Sequence, residues 1–281
     1  MLRQNLSSVD LLILGAGWTS TFLIPQLKAS PITHAETTTT GRDGTIPFKF
    51  DPDSSDVEPY KHLPPARTVL ITFPLTGHGQ SKLLTSLYRR AHGDQNFWIQ
   101  LGSAGIFNQR SDWSTEDSPY DMTNSRAIAE DELRECVNGC VLNLAGLYGG
   151  ERNPRNWISR IAKSKSDVKA RKAVHFVHGD DVAKAIIAVH RNPTPGKRWI
   201  IADLRVYDWW DLIMSFSHLT EDEGSAEEKE KRLEFARWVG ELMVENGVKA
   251  LPRPLEGLGK KLDSRGFWNF MDVWPSHCRL A

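Results

Sequence analysis

A chain of 281 residues with 40% hydrophobic and 25% charged side chains has room for one large domain and the make-up of an ordinary globular protein. Its 35 basic and 35 acidic residues cancel, which excludes a general electrostatic pull toward nucleic acid or anionic lipid. No apolar run reaches the length of a membrane span, and 3 cysteines are too few for a disulfide framework.

Met1 to Leu6 lead straight into an apolar run, so no cleaved leader is expected, and the expected location is the cytoplasm. Leu11 to Leu14 suit a strand buried on both faces. Gly15-Ala-Gly17 then turns the chain, and Leu23, Ile24 and Leu27 resume at helical spacing. Strand, glycine turn and helix together give meaning to a Gly-x-Gly-x-x-Gly pattern. Gly15 allows the turn and Gly17 lets backbone approach a pyrophosphate. Trp18, Thr19 and Ser20 open the helix whose free N–H groups and dipole face that anion. Ser20 stands where the third glycine belongs.

Ala35 to Thr40 is rich in threonine and reads as a second strand, ended by Gly41-Arg-Asp-Gly44. The residue after this strand meets the adenosine ribose, where an acid binds the 2′-hydroxyl and an arginine accommodates a 2′-phosphate. Arg42 points to NADP; Asp43 beside it argues for NAD. NADP is the expected cofactor and NAD the alternative. Phe48 to Asp51 reads as a third strand, residues 52–65 as loop with one helical turn, and Thr68 to Phe73 as a fourth strand closed by Pro74.

Ser81 to Arg90 forms a helix with Leu83, Leu84 and Leu87 on one face, and Asn96 to Leu101 a fifth strand. A loop runs from Phe107 to Tyr120, followed by a helix with Ala127, Ile128 and Leu133 inward. Cys140 to Leu144 is a sixth strand, Ala173 to His178 another, and Arg198 to Ala202 a further one. Helices are expected over 157–162, from a cap at Gly179-Asp-Asp181 through His190, over 208–219, and after the charge run 220–231. The aromatic tail from Phe267 to Trp274 should dock on the body. The alternation implies an α/β fold, a doubly wound parallel sheet of Rossmann type with its ligand at the carboxyl ends of the strands. No metal centre is expected. Cys136 and Cys140 lack further ligands nearby, and His175 and His178 face opposite ways on a strand.

Several stretches, in order, resemble the extended short-chain dehydrogenase/reductases, the NAD-dependent epimerase/dehydratase family. They are Leu101-Gly-Ser-Ala-Gly-Ile-Phe107, Trp113 to Pro119, Asn124 to Glu130, Asn143 to Gly149, Val177 to Ala183, Lys260 to Ser264, and Trp274-Pro-Ser-His277. The resemblance implies one dinucleotide-binding domain over residues 1–281, with about 150–175 and 203–281 forming a small substrate lobe. It also implies a small carbonyl, hydroxyl or sugar-related substrate and allows a homodimer. In that family a serine after strand five works with a Tyr-x-x-x-Lys pair on the next helix. Ser103 matches the serine, whereas Met122 stands at the tyrosine and Arg126 at the lysine. Methionine transfers no proton, and arginine is no base at neutral pH. Arg126 keeps a positive charge for the cofactor ribose, and Pro74 lines the same edge. Tyr120 or Tyr148 could replace the missing tyrosine, or both could be packing residues. Two functions follow: an NADP(H)-dependent oxidoreductase or epimerase-like enzyme, or a catalytically inactive dinucleotide-binding sensor or scaffold.

Overall fold

The computed structural model describes residues 7–108, 112–217 and 225–280. Seven strands form one sheet: β1 (Val9–Leu14), β2 (His34–Thr38), β3 (Ile46–Pro47), β4 (Ala66–Ile71), β5 (Phe97–Ser103), β6 (Cys140–Leu144) and β7 (Arg198–Ile201). Their order is β3-β2-β1-β4-β5-β6-β7 and every neighbouring pair is parallel. The strand order reverses between β1 and β4, so the carboxyl ends of the strands open a crevice there.

The sheet is buried on both faces because successive strand residues point to opposite sides. Leu11, Ile13, Leu70, Ile99 and Leu142 pack toward α1 (Trp18–Lys28) and α4 (Gly179–Arg191), meeting Leu23, Leu27, Val182 and Ile186. Leu12, Leu14, Val69, Ile71 and Val141 pack toward α2 (Gln80–His92) and α3 (Ser125–Val137), meeting Leu84, Leu87, Tyr88 and Leu133. Leu11 to Leu14 are fully buried, and each such side chain contributes about 1.5–3 kcal/mol of transfer free energy.

A separate apolar cluster gathers Ile158, Val168, Phe176, Trp209, Trp210, Ile213, Val239 and Leu242. It lies between α5 (Trp209–Ser217), α6 (Ala226–Glu245) and the short helices before α4. Arg253 closes it, stacked 3.8 Å over Trp210 and paired through Nη2 with the buried Asp208 at 2.6 Å.

Some elements differ from the sequence expectation. The third strand is Ile46–Pro47 rather than 48–51, because Phe48 turns its ring into the core against Tyr60. Ala173 to His178 is not a strand of the main sheet. Ala173–Val174 pairs antiparallel with Tyr207–Asp208, and Phe176–His178 pairs with Gly146–Tyr148. The cap of α4 is His178, whose Nδ1 accepts the Asp180 N–H at 3.2 Å. The tail docks only in part. Phe267 and Trp268, on α7 (Arg265–Phe270), are fully buried against the sheet, whereas Phe270 and Trp274 are half-exposed. Residues 218–224, within the charge run, lie outside the described residues. No helix among the described residues is long and apolar enough to cross a membrane.

Candidate functional site

A cleft of about 820 Å³ opens at the carboxyl ends of β1, β2, β4, β5 and β6. It brings together Gly15, Gly17, Trp18, Thr19, Arg42, Pro74, Ser103 and Arg126, residues expected from the sequence as far as 111 positions apart (126 − 15). Ser20 is beneath the surface and does not line it; its buried hydroxyl has no hydrogen-bond partner. Tyr120 and Met122 are also outside the lining.

The floor is the β1–α1 turn. Gly15 has φ +94°, and a Cβ there would meet Thr72 Oγ1 at 2.8 Å and Phe73 Cδ1 at 3.0 Å. Its N–H donates to Thr37 Oγ1 at 3.0 Å, and the Ala16 N–H donates to the Thr37 carbonyl at 2.6 Å. Thr72 Oγ1 donates to the Leu14 carbonyl at 3.1 Å and also to that of Gly15. No side chain caps α1; the Ser20 N–H turns back to the Gly17 carbonyl at 3.0 Å, leaving the N–H groups of Trp18 and Thr19 for an anion. A Cβ at Gly17 would meet no protein atom within 4 Å. The space it leaves belongs to the cleft.

Beyond β2, Arg42 opens a 3₁₀ turn, its N–H donating to Thr38 Oγ1 at 3.2 Å. Asp43 is exposed and outside the lining. At the other end, Arg126 Nη2 donates to the Leu101 carbonyl at 2.9 Å, while its buried Nε has no partner. The open space at Gly17 and the uncapped helix both fit a phosphate-bearing ligand such as a dinucleotide, with the Arg126 guanidinium in the lining beside them.

Ser103 is held from below. Its N–H donates to Glu130 Oε1 at 3.1 Å, and its carbonyl accepts from Asn143 Nδ2 at 3.2 Å. Glu130 and Asn143 are buried with Arg198, which pairs with Glu130, donates to Asn143 Oδ1 at 2.8 Å and reaches Asp131 at 2.8 Å. Burial opposes the charge of Arg198, but the two carboxylates outweigh it and hold its pKa above the usual value. Gly102 is obligatory, since a Cβ would sit 2.5 Å from Glu130 Oε1. Ser103 Oγ accepts the Gly105 N–H at 3.2 Å and keeps its own proton to donate.

Tyr120 belongs to the same network. Its hydroxyl donates to Asp131 at 2.9 Å and its ring lies 4.5 Å from the Arg198 guanidinium carbon. Burial and that carboxylate push its pKa up. The catalytic role expected of Tyr120 therefore has no support in its placement: its proton is committed to Asp131. Tyr148 is likewise engaged, donating to the His277 carbonyl at 3.1 Å. Met122 is 70% exposed.

Arg152 lines the cleft and was not singled out in the sequence. Nothing in its spacing betrays it, because a turn after β6 carries it back to α1. His178, Asp180 and His277, away from the cleft lining, bring donor atoms within 4.8 Å of one another. Their imidazoles stack with centroids 3.8 Å apart and planes 23° apart.

No family profile and no curated relative matches the sequence. Solved structures match its fold. A conserved protein of unknown function from Silicibacter pomeroyi aligns with TM-score 0.64 and 16% identity over 97% of this chain and 95% of its own. Vestitone reductase from alfalfa aligns with TM-score 0.63 and 15% identity over 96% and 94%. A dTDP-glucose 4,6-dehydratase from Bacillus anthracis, solved with NAD, aligns with TM-score 0.57 and 11% identity over 96% and 92%. The chain thus has, along nearly its whole length, the Rossmann-type fold of the NAD-dependent epimerase/dehydratases and their reductase relatives.

Proposed function

We propose that this chain binds NADP(H) in the strand-edge cleft and holds it without the proton-transferring side chain that a fast reductase or epimerase uses. The carrying observation is the charge of the lining. Among the described residues its ionisable groups are three arginines, Arg42, Arg126 and Arg152. Arginine forks suit phosphates, remain charged at all working pH values and serve as neither acid nor base there. Arg42 meets a 2′-phosphate, the α1 N-terminus takes the pyrophosphate, and the Arg126 guanidinium serves the nicotinamide ribose. The bound dinucleotide supplies hydride; the chain supplies position and Ser103 Oγ, a neutral hydroxyl donor.

Calorimetry with NADPH and NADH tests this. NADPH should bind more tightly, and Arg42→Ala should weaken NADPH alone by about 1.5–3 kcal/mol, the scale of a hydrogen bond to a charged group. Equal loss for both cofactors would remove Arg42 from the 2′-phosphate, and binding of neither would remove the proposal.

Ser103 favours a second reading, an NADP(H)-dependent oxidoreductase or epimerase-like enzyme on a small carbonyl, hydroxyl or sugar-related substrate. Its hydroxyl lines the cleft with Arg126 and, besides accepting the Gly105 N–H, has a proton to offer a small molecule at the nicotinamide. NADPH oxidation with small aldehydes and ketones should then be measurable but slow, because general acid catalysis typically contributes on the order of a hundred- to ten-thousand-fold.

A further inference from the structure

We propose that Arg152 is a pyrophosphate clamp, reaching the dinucleotide from the cleft lip beside the first turn of α1; the inference rests on the reading that the cleft takes a dinucleotide. The residue arrives by a built turn. Gly149 and Arg152 exchange backbone hydrogen bonds of 2.9 and 3.1 Å, forming an isolated bridge. Gly149 and Gly150 both have positive φ, +109° and +55°, as such a tight return requires. The turn is seated on the first turns of α1. Trp18 Nε1 donates to the Gly149 carbonyl at 3.1 Å, and a Cβ on Gly150 would already touch Phe22 at 3.4 Å.

The Arg152 guanidinium then lies 4.4 Å over the Trp18 ring. Among the described residues no carboxylate pairs with it, although its side chain lies at an exposed lip where acids are common. Stacking fixes the plane of the fork while leaving its N–H edges unspent. Trp18 is the first residue of α1, directly after Gly17. The fork is therefore poised over the end of the helix where the dipole and the free N–H groups gather an anion. A diphosphate bridging two nucleosides has oxygens enough for both: the α1 N–H groups donate from the floor and the Arg152 fork adds donors from the lip. A surface packing role alone would be served by any long side chain over the tryptophan.

Arg152→Met keeps the stem on Trp18 and removes the fork; Arg152→Lys keeps the charge without the planar pair of donors. Calorimetry is done with NADPH, NADH, ADP-ribose and adenosine 2′-monophosphate, alongside thermal melting. Arg152→Met should weaken the three diphosphates by a common factor of about ten to thirty. It should leave adenosine 2′-monophosphate and the melting temperature unchanged. Arg152→Lys should recover part of the loss. This pattern is the reverse of Arg42→Ala, which discriminates by the 2′-phosphate. Unchanged diphosphate affinity in Arg152→Met, with wild type binding normally, would leave Arg152 as a packing clasp and overturn the clamp alone. Equal loss for adenosine 2′-monophosphate, or a lowered melting temperature, would likewise assign it a structural role. Failure of the wild-type protein to bind any diphosphate would overturn the dinucleotide reading itself.

Discussion

Gly15 and Gly17 stand two residues apart and are required by different partners. Gly15 is required by the protein: its φ of +94° and the closeness of Thr72 and Phe73 leave no room for a side chain. An alanine there combines strain and overlap, at a cost on the order of 1–3 kcal/mol. Gly17 has φ −102°, outside the left-handed region, and a Cβ there would meet no atom within 4 Å. If a ligand imposes that glycine, Gly17→Ala should melt within about 2 °C of wild type yet bind NADPH at least about tenfold more weakly. Gly15→Ala should instead lower the melting temperature. Unimpaired NADPH binding by a folded Gly17→Ala protein would show that the backbone does not approach the ligand at this turn. Both glycines were legible in the sequence as a motif. Their division of labour was not, because it depends on Thr72 and Phe73, which reach the turn only when β4 pairs with β1.

At the scale of elements, buried polar links at a few residues tie together segments far apart in the chain. His175 lies between the short strands 173–174 and 176–178. Its Nδ1 donates to the Arg205 carbonyl at 2.9 Å, and its Nε2 accepts the Leu262 N–H at 3.0 Å. One neutral tautomer satisfies both bonds; a second proton would set two N–H groups against each other. Burial pushes the pKa down from 6.5 to about 4, with Lys260 and Lys261 adding repulsion. Because the folded value lies below the unfolded one, the unfolded chain takes up the proton first as pH falls. This contribution is intact above pH 6.5 and is lost progressively down to about pH 4, to a limit of roughly 3 kcal/mol. His175→Gln can donate and accept without titrating. Between pH 7 and 4.5 wild type should therefore lose about 2 kcal/mol more unfolding free energy than the variant, read by urea denaturation. Equal losses would place the acid sensitivity elsewhere.

The tail is fastened in the same way: Ser276 and His277 N–H groups donate to the buried Asp181 at 2.7 and 2.9 Å, and Lys184 reaches the Trp274 carbonyl at 2.7 Å. These links explain which elements the sequence revealed. Strands β1, β4, β5, β6 and β7 carry runs of residues buried on both faces, and such runs are visible without any partner. Phe176 to His178 is just as apolar, but its partner is Gly146 to Tyr148, a pairing set by the return of the chain after β6. The aromatic tail was legible as a docking segment. Which of its rings face water was not, since Asp181 fixes the path of the chain beyond α7.

For the whole molecule, the cleft was legible wherever chemistry sits in a motif next to a strand end: the glycines, Arg42, Ser103 and Arg126. Arg152 was hidden because a turn far along the chain delivers it. The engagement of Tyr120 was hidden too: it lies two positions before the place where the resemblance expects tyrosine, and Asp131 and Arg198, which hold it, come from elsewhere in the fold. What results is a cleft whose three ionisable lining groups are all arginines among the described residues. Such a site has a recognisable electrostatic behaviour. Between pH 7.5 and 9 the 2′-phosphate of NADPH is fully ionised, and arginine does not titrate. The affinity for NADPH should therefore stay constant within about twofold across that range. It should fall by about tenfold or more when salt is raised from roughly 50 to 500 mM, because partly exposed cations facing phosphates are screened. Fluorescence titration at several pH values and salt concentrations measures both. A step in affinity centred between pH 7.5 and 9 would reveal a titrating group at the bound cofactor, and with it a candidate proton donor absent from the described lining. A flat profile with steep salt dependence is what a cleft charged by arginine alone requires.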